Sequence, residues 1–169
     1  MKLTAMFLDE LEREAASTRR VLERVPEGRN TWKPHDRSME LGYLASLVAE
    51  LPGWIAMMVE EEGIDFNPPG GSPRRTRVRE TNQELLQSLE EGVTAARRTL
   101  ESTTDEHLMT PWRILVDGNV IDEQPRYRMI RDSVFQHLAH HRGQLTVYLR
   151  LNEAPVPAIY GPSADERFF

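Results

Sequence analysis

The chain has no cysteine. That absence excludes a disulfide framework, a thiolate metal ligand and a cysteine nucleophile, and it fits a reducing, cytoplasmic setting. Any metal would have to be held by His, Asp, Glu or water. Long apolar runs are lacking too. No segment approaches about 18 consecutive apolar residues, and the N-terminal Met-Lys-Leu-Thr-Ala-Met-Phe-Leu-Asp-Glu meets acid before any run of signal-peptide length. The expectation is a soluble, unexported chain with no membrane partner. Positive charge is scarce: 21 Lys and Arg against 27 Asp and Glu give a formal net charge of −6. This argues against a nucleic-acid partner, because phosphate binding rests on clustered cations that release counterions. The one basic cluster, Arg74, Arg75, Arg77 and Arg79, has no interleaved aromatics and follows a Pro/Gly loop, so it reads as a solvated loop and helix start.

What is present is helical periodicity. At 169 residues the chain is read as one domain able to bury roughly 70% of its unfolded surface. Leu8, Leu11, Ala15, Thr18, Leu22 and Val25 recur every three or four residues in a first helix from Leu3, stopped by Pro26 and Gly28. His35, beside Pro34 in the connection, reads as exposed. Ser38 is a candidate N-cap for a second helix, whose stripe Leu41, Leu44, Val48, Leu51, Ile55 and Met58 is the cleanest seam in the chain. Pro52 interrupts it near Leu51. Trp54, Met57 and Met58 read as core filling.

Residues 64–77 hold Asn67-Pro-Pro-Gly-Gly-Ser-Pro73, a run of breakers that is either a plain connection or a lid over a site. Thr81-Asn-Gln-Glu84 has the capping-box spacing and opens a third helix with the stripe Leu85, Leu89, Val93, Ala96 and Leu100. Val78 also fits that stripe and extends the helix if it starts earlier. Periodicity fails from Thr103 to Arg126, where Asp117-Gly118 marks a short hairpin. His107, in the preceding polar stretch, suggests no role. A fourth helix is expected from about Tyr127 to Leu151, with Pro155 and Pro157 preventing continuation. Four helices of roughly 22 to 25 residues, each with one apolar stripe, predict an all-α fold, a four-helix bundle with a hairpin-like insertion before the last helix.

Three of the five histidines fall within Gln136-His-Leu-Ala-His-His-Arg-Gly-Gln144. His137 and His141 are four apart, so both imidazoles leave one helix face about one turn apart, the spacing of two metal ligands. The stripe Ile130, Val134, Leu145 and Tyr148 passes through both, which places them where core leucines would be expected. His140 flanks the pair. Two inward histidines must find polar partners, be neutralised, or bind a metal, and zinc or its neighbours need at least a third protein ligand.

His137-Leu-Ala-His-His141-Arg-Gly-Gln144-Leu145, then Tyr148-Leu-Arg150 and Pro155-Val-Pro-Ala-Ile-Tyr160-Gly-Pro-Ser163, resembles the C-terminal signature of the DinB/YfiT-like family. Ser38-Met-Glu-Leu41-Gly-Tyr-Leu44-Ala45 through Glu50-Leu-Pro-Gly-Trp54 is similar to its second-helix motif. The resemblance covers most of the chain. It implies a four-helix bundle, often a homodimer, holding a divalent metal (nickel, zinc or iron) through three histidines. It also implies a thiol-dependent transferase acting on a small-molecule thiol and an electrophile, the metal lowering the pKa of a bound thiol or water.

His137 and His141 match two of the implied ligands. The first ligand falls at Leu47, and no histidine lies between His35 and His107. Glu50, one turn on, is the nearest replacement, since a carboxylate with two imidazoles is an accepted ligand set. It is equally an ordinary glutamate on the flank of the stripe, the commoner fate of such a residue. Arg142 and Gln144 either support the site or lie at the surface. Three functions follow from the same residues: a metal-dependent thiol S-transferase with an incomplete site, a metal-dependent hydrolase, or a metal-free binding or stress-response module. The apolar Leu47 and the aromatic tail Tyr160, Phe168 and Phe169 motivate the last.

Overall fold

The structure, a computed structural model, describes residues 2–167. Its first helix, α1 (Leu3–Leu22), buries Phe7, Leu11, Thr18, Val21 and Leu22. Phe7 takes the inward place expected for Leu8, stacking on Phe135 with ring centroids 5.7 Å apart. The second helical run follows its seam as expected, with Leu41, Leu44, Val48, Leu51, Ile55 and Met58 all at 1% exposure or less. It starts at Leu41, however, and Ser38 does not cap it. The Leu41 and Gly42 N–H groups donate to the Trp32 and Asn30 carbonyls at 2.8 and 2.9 Å, so the first-turn donors that a cap would satisfy are already paired.

Pro52 has no N–H to continue the α-helical ladder. The run divides there into α2 (Leu41–Glu50), a 3₁₀ turn (Leu51–Gly53) and α3 (Trp54–Glu60). Taken together, Leu41–Glu60 is by length and mean hydropathy able to cross a membrane, although Ser46 and Glu50 interrupt its apolar run as expected, and 72% of the window that meets this test is buried inside the fold. That is the pattern of a core helix.

The third long helix, α4 (Asn82–Ser102), opens with the expected capping box: Thr81 accepts from the Glu84 N–H, and the Glu84 side chain accepts from the Thr81 N–H. The helix does not extend back to Val78. The Arg79 N–H donates to Ser46 Oγ at 2.8 Å, and its guanidinium pairs with Glu50 at 2.9 Å, which holds that segment against α2 instead. α4 packs along α1, α2 and α3. At its closest point to the 3₁₀ turn, a Cβ placed on Gly92 would lie 3.0 Å from Gly53 N. Glycine at 92 therefore lets two backbones touch, which offsets its cost in a helix.

The all-α expectation needs correction, because a small mixed sheet stands beside the helices. Residues Gly63–Asp65 (β1) lie parallel to Pro111–Val116 (β2), which runs antiparallel to Asn119–Pro125 (β3). The hairpin turns where expected, with φ of 53° at Asp117 and 75° at Gly118, the two positive angles of a type I′ turn. Trp112, fully buried, anchors β2 in the core. A short helix, α5 (Asp105–Leu108), precedes the hairpin, and His107 Nε2 contacts the Val59 carbonyl at 2.9 Å.

The last helical run spans Arg126–Leu151, as α6 (Arg126–Ile130), a π-helical stretch (Arg131–Gln136) and α7 (His137–Leu151). The wider turn shifts the stripe by one residue. Leu138, at 1% exposure, takes the core place expected for His137, and His137 moves to the edge of the core. α7 packs on α2 and α1. The residues beyond it return to α1: Arg20 and Arg24 pair with Glu166, and Arg150 pairs with Asp165.

Candidate metal centre

His137 and His141 leave the first turn of α7 and meet ring to ring, with Nε2 to Nε2 at 2.7 Å. Each ring is oriented by its other nitrogen. His137 Nδ1 lies 3.3 Å from the Ser133 carbonyl, in the π-helical stretch. His141 Nδ1 lies 2.8 Å from Gln144 Oε1, while Gln144 Nε2 reaches His140 Nε2 at 3.1 Å. A carbonyl oxygen can only accept, so in the tautomer that satisfies both acceptors each Nδ1 carries the proton and the two Nε2 atoms present lone pairs to each other.

Two bare lone pairs at that distance repel. A proton moved to one Nε2, which then donates to the other, an additional shared proton, or a cation relieves them. Burial pushes both imidazoles below the ordinary histidine value of 6.5, and for His137 the facing His141 pushes further the same way, so the additional proton is the disfavoured solution. Imidazole nitrogens are ligands of the type a zinc-class metal takes, but two of them fall one short of the three protein ligands it needs. Nitrogens on a tetrahedral zinc at about 2.0–2.1 Å each sit about 3.3 Å apart, so the rings would have to part by about 0.6 Å.

The same shifts give the pair a pH signature. Folded, both rings bind protons less readily than in the unfolded chain. As pH falls below 6.5 the unfolded state takes up protons that the fold does not, so stability drops until the lowered folded values are passed. Glu84, Asp105, Asp165 and Glu166, held below the carboxylate range mainly by hydrogen bonds, lose stability only at lower pH. In metal-free protein, the fall in melting temperature between about pH 7.5 and pH 5 should shrink when both histidines become glutamine. An equal fall in the two proteins would remove the pair as its cause.

His137, but not His141, lines a cavity of about 310 Å³ whose wall also includes Leu47, Trp54, Trp112 and Ile114. Leu47, 7% exposed, therefore faces the same space as His137. Trp54 stands edge-on to His137 with ring centroids 6.0 Å apart. Glu50 lines this cavity as well, but its carboxylate is bound to Arg79. Among the described residues, no group of three or more His, Asp or Glu side chains gathers as a metal cage. The structure thus brings His137 and His141 together and leaves Glu50 engaged elsewhere.

Gln144 supports the site and Arg142 does not. Arg142, 1% exposed, turns to α1, donating to Glu14 Oε2 at 2.5 Å and to Thr18 Oγ1 at 3.0 Å. Tyr160 joins that network, its hydroxyl 2.8 Å from Glu14, while Phe168 and Phe169 lie outside the described residues. His35 is exposed as expected. The sequence leaves the 64–77 loop between plain connection and lid and marks its arginines as solvated; Arg74, Arg75 and Thr76 line the cavity, and the Arg74 N–H donates to the Phe66 carbonyl at 3.0 Å. A run of prolines and glycines signals a turn but not where the chain lands afterwards.

These features define a mostly helical protein in which one member of an oriented imidazole pair, His137, lines a largely apolar cavity. The chain belongs to the DinB family, whose model matches residues 1–167. It is similar in structure to a DinB-like protein from Bacillus cereus ATCC 10987, with a TM-score of 0.69 at 22% identity over 91% of this chain and 95% of that one. A DinB-like protein from Bacillus subtilis, YjoA, gives 0.64 at 17% identity over 90% and 95%. At these identities the likeness speaks for the fold alone. An uncharacterized protein of Bacillus subtilis (strain 168), YrdA, is 42% identical over 48 residues, 28% of this chain and 29% of that one. The chain thus spans less than a third of the length of the curated relative it matches.

Proposed function

We propose that this DinB-family chain holds a divalent metal of the nickel, zinc or iron class through His137 Nε2 and His141 Nε2, and acts as a thiol S-transferase. The facing of the two Nε2 atoms, with both Nδ1 atoms on acceptors, carries the reading. When bound, the metal supplies Lewis acidity that leaves a thiol, or water in the hydrolase version, ionised at neutral pH. The Ser133 carbonyl and Gln144 fix the ring orientations. Leu47 and Trp54 keep bulk water from that side of the cavity, and the cavity receives the electrophile. Glu50 becomes a third ligand only by leaving Arg79; otherwise solvent or the substrate thiol completes the shell.

Metal per chain in purified, untagged protein tests this against a His141→Ala variant. Near one equivalent is expected in the parent and little in the variant. No metal in either protein would overturn the proposal and favour a metal-free binding module, a reading supported by the apolar Leu47 at the position where a third imidazole would stand.

A further inference from the structure

We infer that the cavity beside His137 selects an organic anion: a carboxylate with an apolar body, its charge held by Arg74 and Arg75. The inference deepens the reading above, whose cavity it shares, but it does not depend on the metal. Two observations carry it. The first is the charge of the wall. Its only carboxylate, Glu50, is neutralised by Arg79 at 2.9 Å. Arg74 and Arg75, both exposed, line the same space, and neither has a carboxylate partner among the described residues. Unpaired positive charge thus faces a cavity in a chain whose formal net charge is −6. A focused field of this kind attracts the opposite charge most strongly where low-dielectric walls surround it.

The second observation is the chemistry of the remaining wall. Tyr43, Leu47, Trp54, Met58, Phe66 and Ile114 give an apolar lining, the usual composition of a small-molecule site with a few placed polar groups. Trp112, also in the wall, carries a buried N–H with no acceptor among the described residues. A ligand oxygen able to reach it would satisfy it. The backbone that bears the arginines is tied beside the cavity by the bond from the Arg74 N–H to the carbonyl of Phe66, itself a wall residue.

Trp54 and Trp112, two of the three tryptophans, report occupancy through their fluorescence. Chelator-treated protein titrated with octanoate, 1-octanol and octylamine should bind octanoate about tenfold more tightly than octanol, and octylamine most weakly. Arg74→Gln with Arg75→Gln should cut octanoate affinity about tenfold while leaving octanol within about twofold. Added salt at about 0.5 M should weaken octanoate alone. Octanoate binding no better than octanol, an unchanged double variant, or no binding by any of the three would each overturn the inference. Metal analysis of the same protein before chelator treatment separates the two readings. Metal retained without anion preference sinks only this one, and anion preference without metal sinks only the other.

Discussion

Leu47→His raises zinc affinity by about 100-fold, since a structural site worth about 10–16 kcal/mol spreads over four ligands at roughly 3 kcal/mol each. Position 47 is suited to the substitution because its side chain already lines the cavity that His137 lines and is 7% exposed, so a new imidazole there would be directed by packing. The His137 and His141 rings are oriented in advance by Ser133 and Gln144, which spares the third ligand most of the ordering cost. Without metal the variant should be less stable than the parent by about 2–4 kcal/mol, because a polar ring replaces a buried leucine. Saturating zinc should restore the loss through linkage. Chelator competition measures the affinity, and thermal melts with and without zinc measure the coupling. A gain below about threefold would mean that α2 and α7 do not present these positions to one ion.

Arg142→Met costs about 3–5 kcal/mol of folding stability, the expected result of removing one partner of a buried ion pair. Arg142 is 1% exposed and the Glu14 side chain 13%, so truncation leaves a carboxylate with little access to water. Tyr160 still donates to it at 2.8 Å, but Thr18 loses its guanidinium partner in the core. Adding Glu14→Gln removes the stranded charge and should recover more than half of the loss. Urea unfolding of parent, single and double variants forms the cycle that tests this. A single-variant cost below about 1 kcal/mol would show that the pair is offset by its own desolvation.

The parts of the fold that were legible in the sequence are those fixed by local rules. The α2–α3 seam, the Thr81 capping box, the break at Pro52 and the Asp117-Gly118 turn each depend on residues within a few positions of one another, and each stands where expected. The parts that were not legible depend on distant partners. β1 is three residues long and is a strand only because Arg113–Leu115 lies beside it. The π-helical stretch has no side-chain signature, yet it decides that Leu138 fills the core and that His137 turns to the cavity. For the candidate site, spacing brought out His137 and His141. Gln144 was left between support and surface because its role requires the three rings to be in place. Arg74 and Arg75 read as a solvated patch, since nothing near them in sequence announces the apolar wall they meet.

The segment beyond α7 bears on when the molecule becomes complete. Its contacts with α1 join residues 138 to 146 positions apart, among the most widely separated in the chain. Contacts of that kind are entropically the most demanding to close and form after local ones. Arg20 and Arg24 therefore find Glu166 only after the helices between them have formed, and Glu14 of α1 likewise waits for Arg142 of α7. A chain lacking the Glu166 carboxylate would lose the widest-spanning of these contacts while keeping every helix, and among the described residues the segment would be hydrogen-bonded to α1 only through Ala158 and Tyr160.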